Sequence, residues 1–267
     1  MRALRFELKG DTAFFKKPDV NVYAYFTYSH IHKVALFGIL GSILGLGGYM
    51  QQYDENYPLA ANRKKAEKQR VFPEFYEVFQ RARVSIVPHG DRGYFAKKIQ
   101  VFNNSVGYAN RDASKKGGAT LNIREQWLEK PHWTIYIADD EGLARGVFDK
   151  LADYLLNSKS VYMPCLGKND HPATILRPKL VEIMDADQPR FIDSLHPADN
   201  IIYAGKIKPG QDQSFFKELM PVGMNEANNG YIFHSLVSTN HETDLDSMSE
   251  DDRRNMYCDG DRVLYFL

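Results

Sequence analysis

The sequence predicts an α+β fold, and three observations carry that expectation. Residues 2–9 alternate, with Leu4, Phe6 and Leu8 set against Arg5, Glu7 and Lys9, which is the period of a half-buried strand. Residues 30–45 and 141–156 instead carry apolar side chains at helical spacing, among them Val34, Phe37, Leu40 and Leu44 in the first and Leu143, Val147 and Leu151 in the second. Short apolar or β-branched runs at 84–87, 134–137, 180–184, 201–207, 231–237 and 263–267 lie between loops rich in Asn, Asp, Gly and Pro. The order is strand, helix, strand, hairpin insertion, strand, helix. It suits a ferredoxin-like, RNA-recognition-type sandwich with an inserted β-hairpin and a β-rich C-terminal extension. The expected division is a first domain over 1–160, an insertion over about 90–131, and the extension over 161–267.

Each helix has local signals. Ser29 is placed to cap the first one, since its hydroxyl can accept from an orphan backbone N–H two or three residues on. That helix is apolar nearly all round, and Gly38, Gly41 and Gly45 form one stripe along it. Glycine costs about 1 kcal/mol against alanine in a helix interior, so close approach of a neighbouring element is the expected compensation. Gly47-Gly48 reads as the helix end. The hairpin is expected from residues 99–102 and 120–123.

The composition is that of a globular chain: 267 residues, 43% apolar and 25% charged. Two distant cysteines, Cys165 and Cys258, form neither a disulfide framework nor a metal spacing. The longest apolar run, 34–48, is too short for a bilayer. We therefore expect a cytoplasmic protein with no membrane partner, no metal and no cofactor. The formal net charge is zero, but residues 60–131 hold 15 Lys+Arg against 7 Asp+Glu, and residues 182–267 hold 7 against 16. A basic middle and an acidic end suggest an anionic partner on one face. Solvated loops give the same asymmetry without any partner.

The basic middle interleaves cations, aromatics and amides: Arg92, Tyr94, Phe95, Lys97, Lys98, Phe102, Asn103, Asn104, Arg111, Lys115, Lys116 and Arg124. Cations neutralise phosphates, aromatic planes stack unpaired bases, and amides read base edges. His30 and His32, with Tyr28 and Lys33 beside them, stand open between helix capping and nucleic-acid contact. Their i, i+2 spacing points them apart on a helix and makes a poor metal pair. The acidic cluster at 242–252, with Asp259 and Asp261, lacks the glycine turn and spaced glutamate of a calcium loop.

Three segments in order carry a family resemblance. The first joins Ala13-Phe14 to Tyr28-Ser29-His30-Ile31-His32-Lys33 and the glycine-striped helix. The second runs from Arg124-Glu125-Gln126-Trp127-Leu128 through Lys130-Pro131 into the strand at 134–137. The third is 162–173, from Tyr162-Met163-Pro164-Cys165 to Asp170-His171-Pro172-Ala173. Together, over roughly residues 1–180, they resemble the CRISPR-associated Cas-five family of the RAMP superfamily, in its type I-B-like form.

The resemblance implies a non-catalytic subunit of a type I Cascade complex that caps the five-prime handle of the guide RNA. Its β-hairpin would be a thumb that displaces a nucleotide at the handle–spacer junction. A Cascade backbone subunit, a Cascade large subunit and nearby target DNA would be its neighbours. RNA-binding residues are then expected among Tyr28, His30, His32, Lys33, Arg92, Lys97, Lys98, Asn103, Asn104, Arg111, Lys115, Lys116 and Arg124. One branch of the family cuts RNA without metal through tyrosine, lysine and histidine, using an adjacent Lys-His pair. This chain has only His32-Lys33, in reverse order, so a ribonuclease built on Tyr28, His30 and Lys33 is the alternative expectation. A small-molecule enzyme is a distant third. The acidic end is expected to dock a basic partner surface.

Overall fold

A computed structural model of the chain describes residues 1–20, 24–57, 70–104, 121–187, 189–199 and 201–267. The elements run β1 (Arg2–Lys9), β2 (Thr12–Ala13), α1 (Lys33–Leu44), α2 (Tyr49–Asn56), α3 (Glu74–Phe79), β3 (Val84–Pro88), β4 (Lys97–Asn104), β5 (Leu121–Glu129), β6 (His132–Ala138), α4 (Arg145–Leu156) and β7 (Thr174–Glu182). They continue with β8 (Met184–Asp185), β9 (His196–Pro197), β10 (Tyr203–Ile207), β11 (Phe215–Met224), β12 (Tyr231–Thr239), β13 (His241–Thr243), α5 (Glu250–Arg254), β14 (Met256–Asp259) and β15 (Arg262–Tyr265).

The fold is α+β. The central sheet has the order β3-β6-β1-β7, antiparallel throughout. With α1 and α4, its chain order is β-α-β-β-α-β. The alternation read in β1 sorts its two faces. Leu4, Phe6 and Leu8 are fully buried in one core cluster with Phe37 and Leu40 of α1 and Phe148 and Leu151 of α4. The opposite face is covered at one end by the C-terminus, where Leu264 and Phe266 pack on Ala3, Val87, Tyr136 and Ala138. Leu267 also closes the outer edge of β3 through its backbone bonds with Val84. The fourth strand of the sheet, β7, lies on the far side of the division expected at residue 160, so the sheet is complete only with residues 174–182.

Helix α1 starts three residues later than its sequence suggests. His32 is its N-cap, with Nδ1 accepting from the Ala35 N–H at 3.2 Å. Ser29 is occupied elsewhere: its N–H donates to Glu218 and its hydroxyl accepts from Lys97. The helix ends at Gly45, whose φ of 79° is the left-handed region that glycine enters without steric cost. Gly47-Gly48 instead precede α2.

The inserted hairpin is present and longer than its sequence signal. β4 pairs with β5 from Lys97↔Leu128 to Asn104↔Leu121, and β2 joins the far side of β5. The C-terminal part is β-rich, as expected, with small sheets of order β10-β13, β11-β12-β9 and β15-β14-β8. Among the described residues no single helix is long and apolar enough to cross a membrane.

Candidate nucleic-acid interface

The three segments that carry the resemblance meet around one open groove of about 850 Å³. Its floor is the small-residue side of α1, with Ala35, Gly38 and Ser42 spaced by three and four so that they share a face. A Cβ placed on Gly38 would meet nothing within 4 Å, because that position opens into the groove. Gly41, about 60° round the helix from Gly38, packs on α3 instead, and a Cβ there would come within 2.5 Å of Phe75. The glycine stripe therefore does two jobs: close helix packing at Gly41 and clearance at Gly38.

The walls are aromatic and basic. They include Phe14, Lys16 and Tyr25, Glu125 of β5, and Tyr162 and Lys168 of the 162–173 loop. Lys16 Nζ lies 4.3 Å from the centroid of the Tyr25 ring. Lys168 Nζ sits over Phe14 and Phe102, at 5.6 and 5.4 Å. Such a mixture suits unpaired bases and their phosphates, with rings for stacking and ammonium groups for charge.

A polar chain anchors the 162–173 loop to the hairpin. Lys168 Nζ is 3.0 Å from both oxygens of Glu125, which is almost fully buried. Trp127 Nε1 donates to the same carboxylate at 2.8 Å. The Trp127 ring packs edge-on against His171, and His171 Nδ1 is 2.6 Å from Thr12 Oγ1. Backbone bonds complete the seam: Phe14 N–H donates to Leu166 and Leu166 N–H to His171. Gly167 is required there, since a Cβ would stand 1.9 Å from the Phe14 carbonyl oxygen. These residues were not singled out individually as site residues from sequence. Their signal was the three motifs themselves, with Phe14 in the first, Glu125 and Trp127 in the second and Leu166 to His171 in the third.

The individually predicted residues fare unevenly. Tyr28 is buried and packs edge-on against His32, and burial raises its pKa. His30 is fully buried, accepts from Trp133 Nε1 and packs against Phe95 and Phe216. Burial depresses both His30 and His32 to about 3, so both rings are neutral near pH 7. Lys33 donates to the Leu267 carbonyl, and burial, helped by Arg83, brings it down to about 8. These four side chains build the core and cap around the start of α1 and do not line the groove wall as a set; His32 alone reaches it.

On the hairpin, side chains alternate between two faces. Lys97, Ile99, Val101 and Asn103 share a face with Gln126 and Arg124, while Phe102, Glu125 and Trp127 share the other, which meets the 162–173 loop. Asn103 and Arg124 are exposed. Lys98 pairs with Glu129 at 3.4 Å. Lys97 donates to Ser29 Oγ, and partial burial lowers its pKa. Arg92 is engaged by Asp212 at 2.7 Å. Asn104 ends β4. Arg111, Lys115 and Lys116 lie outside the described residues. In the acidic end, Asp259 is bound to Arg5 and Tyr136 and Glu218 to Lys17, so part of its charge is used within the chain.

No family model matches the chain, and neither does any curated protein. Solved structures are similar to it over most of their length. One chain, described as a CRISPR RNA-guided surveillance complex, is 12% identical with a TM-score of 0.47, covering 95% of this chain and 96% of that one. A CRISPR protein from Archaeoglobus fulgidus is 10% identical with a TM-score of 0.42, over 99% and 98%. A chain of the type III-B Cmr-beta complex, bound to cognate target RNA and AMPPnP, is 9% identical with a TM-score of 0.47, over 98% of each.

Proposed function

We propose that the chain is a non-catalytic, RNA-binding subunit of a type I CRISPR Cascade complex, which caps the five-prime handle of the guide RNA in antiviral defence. The observation that carries this reading is the convergence of the three family-like segments on one aromatic, lysine-bearing groove beside the β4–β5 hairpin. Handle bases would stack on Tyr25, Tyr49 and Tyr162, with Lys16 and Lys168 near the phosphates. Arg124 and Asn103 would meet the strand along the exposed face of the thumb. Backbone and large subunits of Cascade are the proposed neighbours, with target DNA nearby.

The ribonuclease alternative needs Tyr28, His30 and Lys33 within hydrogen-bond reach of a 2′-hydroxyl and its leaving oxygen. Full burial of His30, burial of Tyr28 and engagement of Lys33 by the Leu267 carbonyl weigh against that arrangement. The test is incubation of the purified chain with labelled repeat RNA in EDTA, read for both binding and cleavage. Salt-sensitive binding without a cut is expected. A single specific cut would replace the non-catalytic reading with the ribonuclease one.

A further inference from the structure

The segment that leads into the first arm of the hairpin is linked to residues 212–218, around the start of β11, at four points, two of them direct and two bridged by His30 or Ser29. Arg92 pairs with Asp212 at 2.7 Å. The Tyr94 hydroxyl donates to the Phe215 carbonyl at 2.9 Å. Phe95 and Phe216 both pack edge-on against His30, at 5.5 and 4.8 Å between ring centroids. Lys97 Nζ donates to Ser29 Oγ at 2.8 Å, and the Ser29 N–H donates to Glu218 at 2.8 Å. Glu218 also holds Lys17 Nζ at 2.6 Å. Positions 92 and 94 thus meet 212 and 215 directly, and 95 and 97 reach 216 and 218 through His30 and Ser29.

This seam has a mechanical meaning because of where β4 sits. The hairpin belongs to a sheet of order β2-β5-β4, separate from the central sheet. Its β5 side is tied to the body through β2 and the Lys168–Glu125 chain. Among the described residues no strand pairs with its β4 side, and the contacts with residues 212–218, with Phe95 packed on Trp133, brace the entry to β4. We infer that the acidic C-terminal half acts as an internal splint that fixes the angle of the thumb over the groove, with Tyr94 and Glu218 as positioning residues that touch no RNA. The consequence for RNA rests on the proposed function; the splint itself does not. One of the four, Arg92–Asp212, is an ion pair and the other three are not, so salt alone does not release it.

The test uses the full chain and two variants, Tyr94→Phe and Glu218→Gln, in hydrogen exchange and in binding of labelled repeat RNA. Amide exchange in residues 97–104 and 121–129 is expected to quicken about tenfold in each variant, as for a locally loosened unit. Residues 2–9 and 132–138 should keep the parent rates. Repeat-RNA affinity should fall several-fold with the salt slope unchanged, because no phosphate contact is lost. Tyr94 is exposed, so Tyr94→Phe remains informative if Glu218→Gln folds poorly. Exchange that stays at parent rates in the hairpin, or that rises equally in the central strands, would overturn the splint. If exchange rises only in the hairpin while the parent chain binds no RNA, the splint stands and the RNA reading falls.

Discussion

Lys168 and Glu125 form an ion pair between the 162–173 loop and the hairpin, with Nζ at 3.0 Å from each carboxylate oxygen. Glu125 is 5% exposed and Lys168 is partly open to water on the groove side. Removing one partner of a buried pair strands the other charge away from water, which costs more than the pair itself contributes. Lys168→Met should therefore destabilise the chain by about 2–4 kcal/mol, and the double variant with Glu125→Gln should recover much of that loss. Urea unfolding of the single and double variants gives both numbers.

Three buried histidines make stability depend on pH. Burial takes His30 and His32 to about 3 and His196 to about 4. In the unfolded chain each binds a proton near 6.5. Between those values the unfolded state holds more protons, so stability falls as pH drops below about 6.5 and is unaffected by these groups above it. Each adds a slope of about 1.4 kcal/mol per pH unit within its window. His32→Asn keeps a side chain able to cap α1 and removes one titrating ring. Its unfolding free energy should fall less steeply than the parent's between pH 6.5 and 4.5.

The two glycines of α1 should respond oppositely to alanine. At Gly38 a methyl group meets open space, so Gly38→Ala should raise stability by about 0.5–1 kcal/mol through helix propensity alone. At Gly41 the same change pushes a Cβ to 2.5 Å from Phe75, and overpacking should cost about 1–3 kcal/mol. Denaturation midpoints of the two variants separate clearance from packing.

Lys16 lines the groove with its ammonium over Tyr25. If that charge meets a phosphate, Lys16→Ala should weaken repeat-RNA binding and reduce the slope of log affinity against log salt by about 0.7, the single-strand value for one contact. Binding measured from 50 to 300 mM salt checks both.

The sequence was most legible where one periodicity had one physical cause. The alternation of Leu4, Phe6 and Leu8 and the helical spacing of Val34 to Leu44 survive intact because both reflect burial in one shared core. β11 was not legible. Lys217-Glu218, Pro221 and Gly223 interrupt its apolar pattern, and the register shift at Pro221/Gly223 shows how the strand accommodates them. The site was legible as motifs and much less as residues. Arg92 and Lys97 look like phosphate ligands in sequence, but their partners Asp212 and Ser29 are distant in the chain or on another element, and only the fold brings them together. His30 and His32 read as polar and become core and cap, because a histidine's ring can be buried when its pKa falls. Ser29 had the right chemistry for a cap, but its hydroxyl is taken by Lys97 and His32 caps the helix instead.

The most direct test of the account is to fill the groove from its floor. Gly38→Trp projects an indole into the space that Ala35, Gly38 and Ser42 leave open, without meeting a packed neighbour at its Cβ. Equilibrium binding of labelled repeat RNA should drop by at least about tenfold, the loss of one or two stacked bases at 1–3 kcal/mol each, while Gly38→Ala binds as the parent does and both variants keep the parent's circular dichroism. Parent-like affinity in a folded Gly38→Trp chain would contradict the account and place the RNA, if it binds at all, away from this groove.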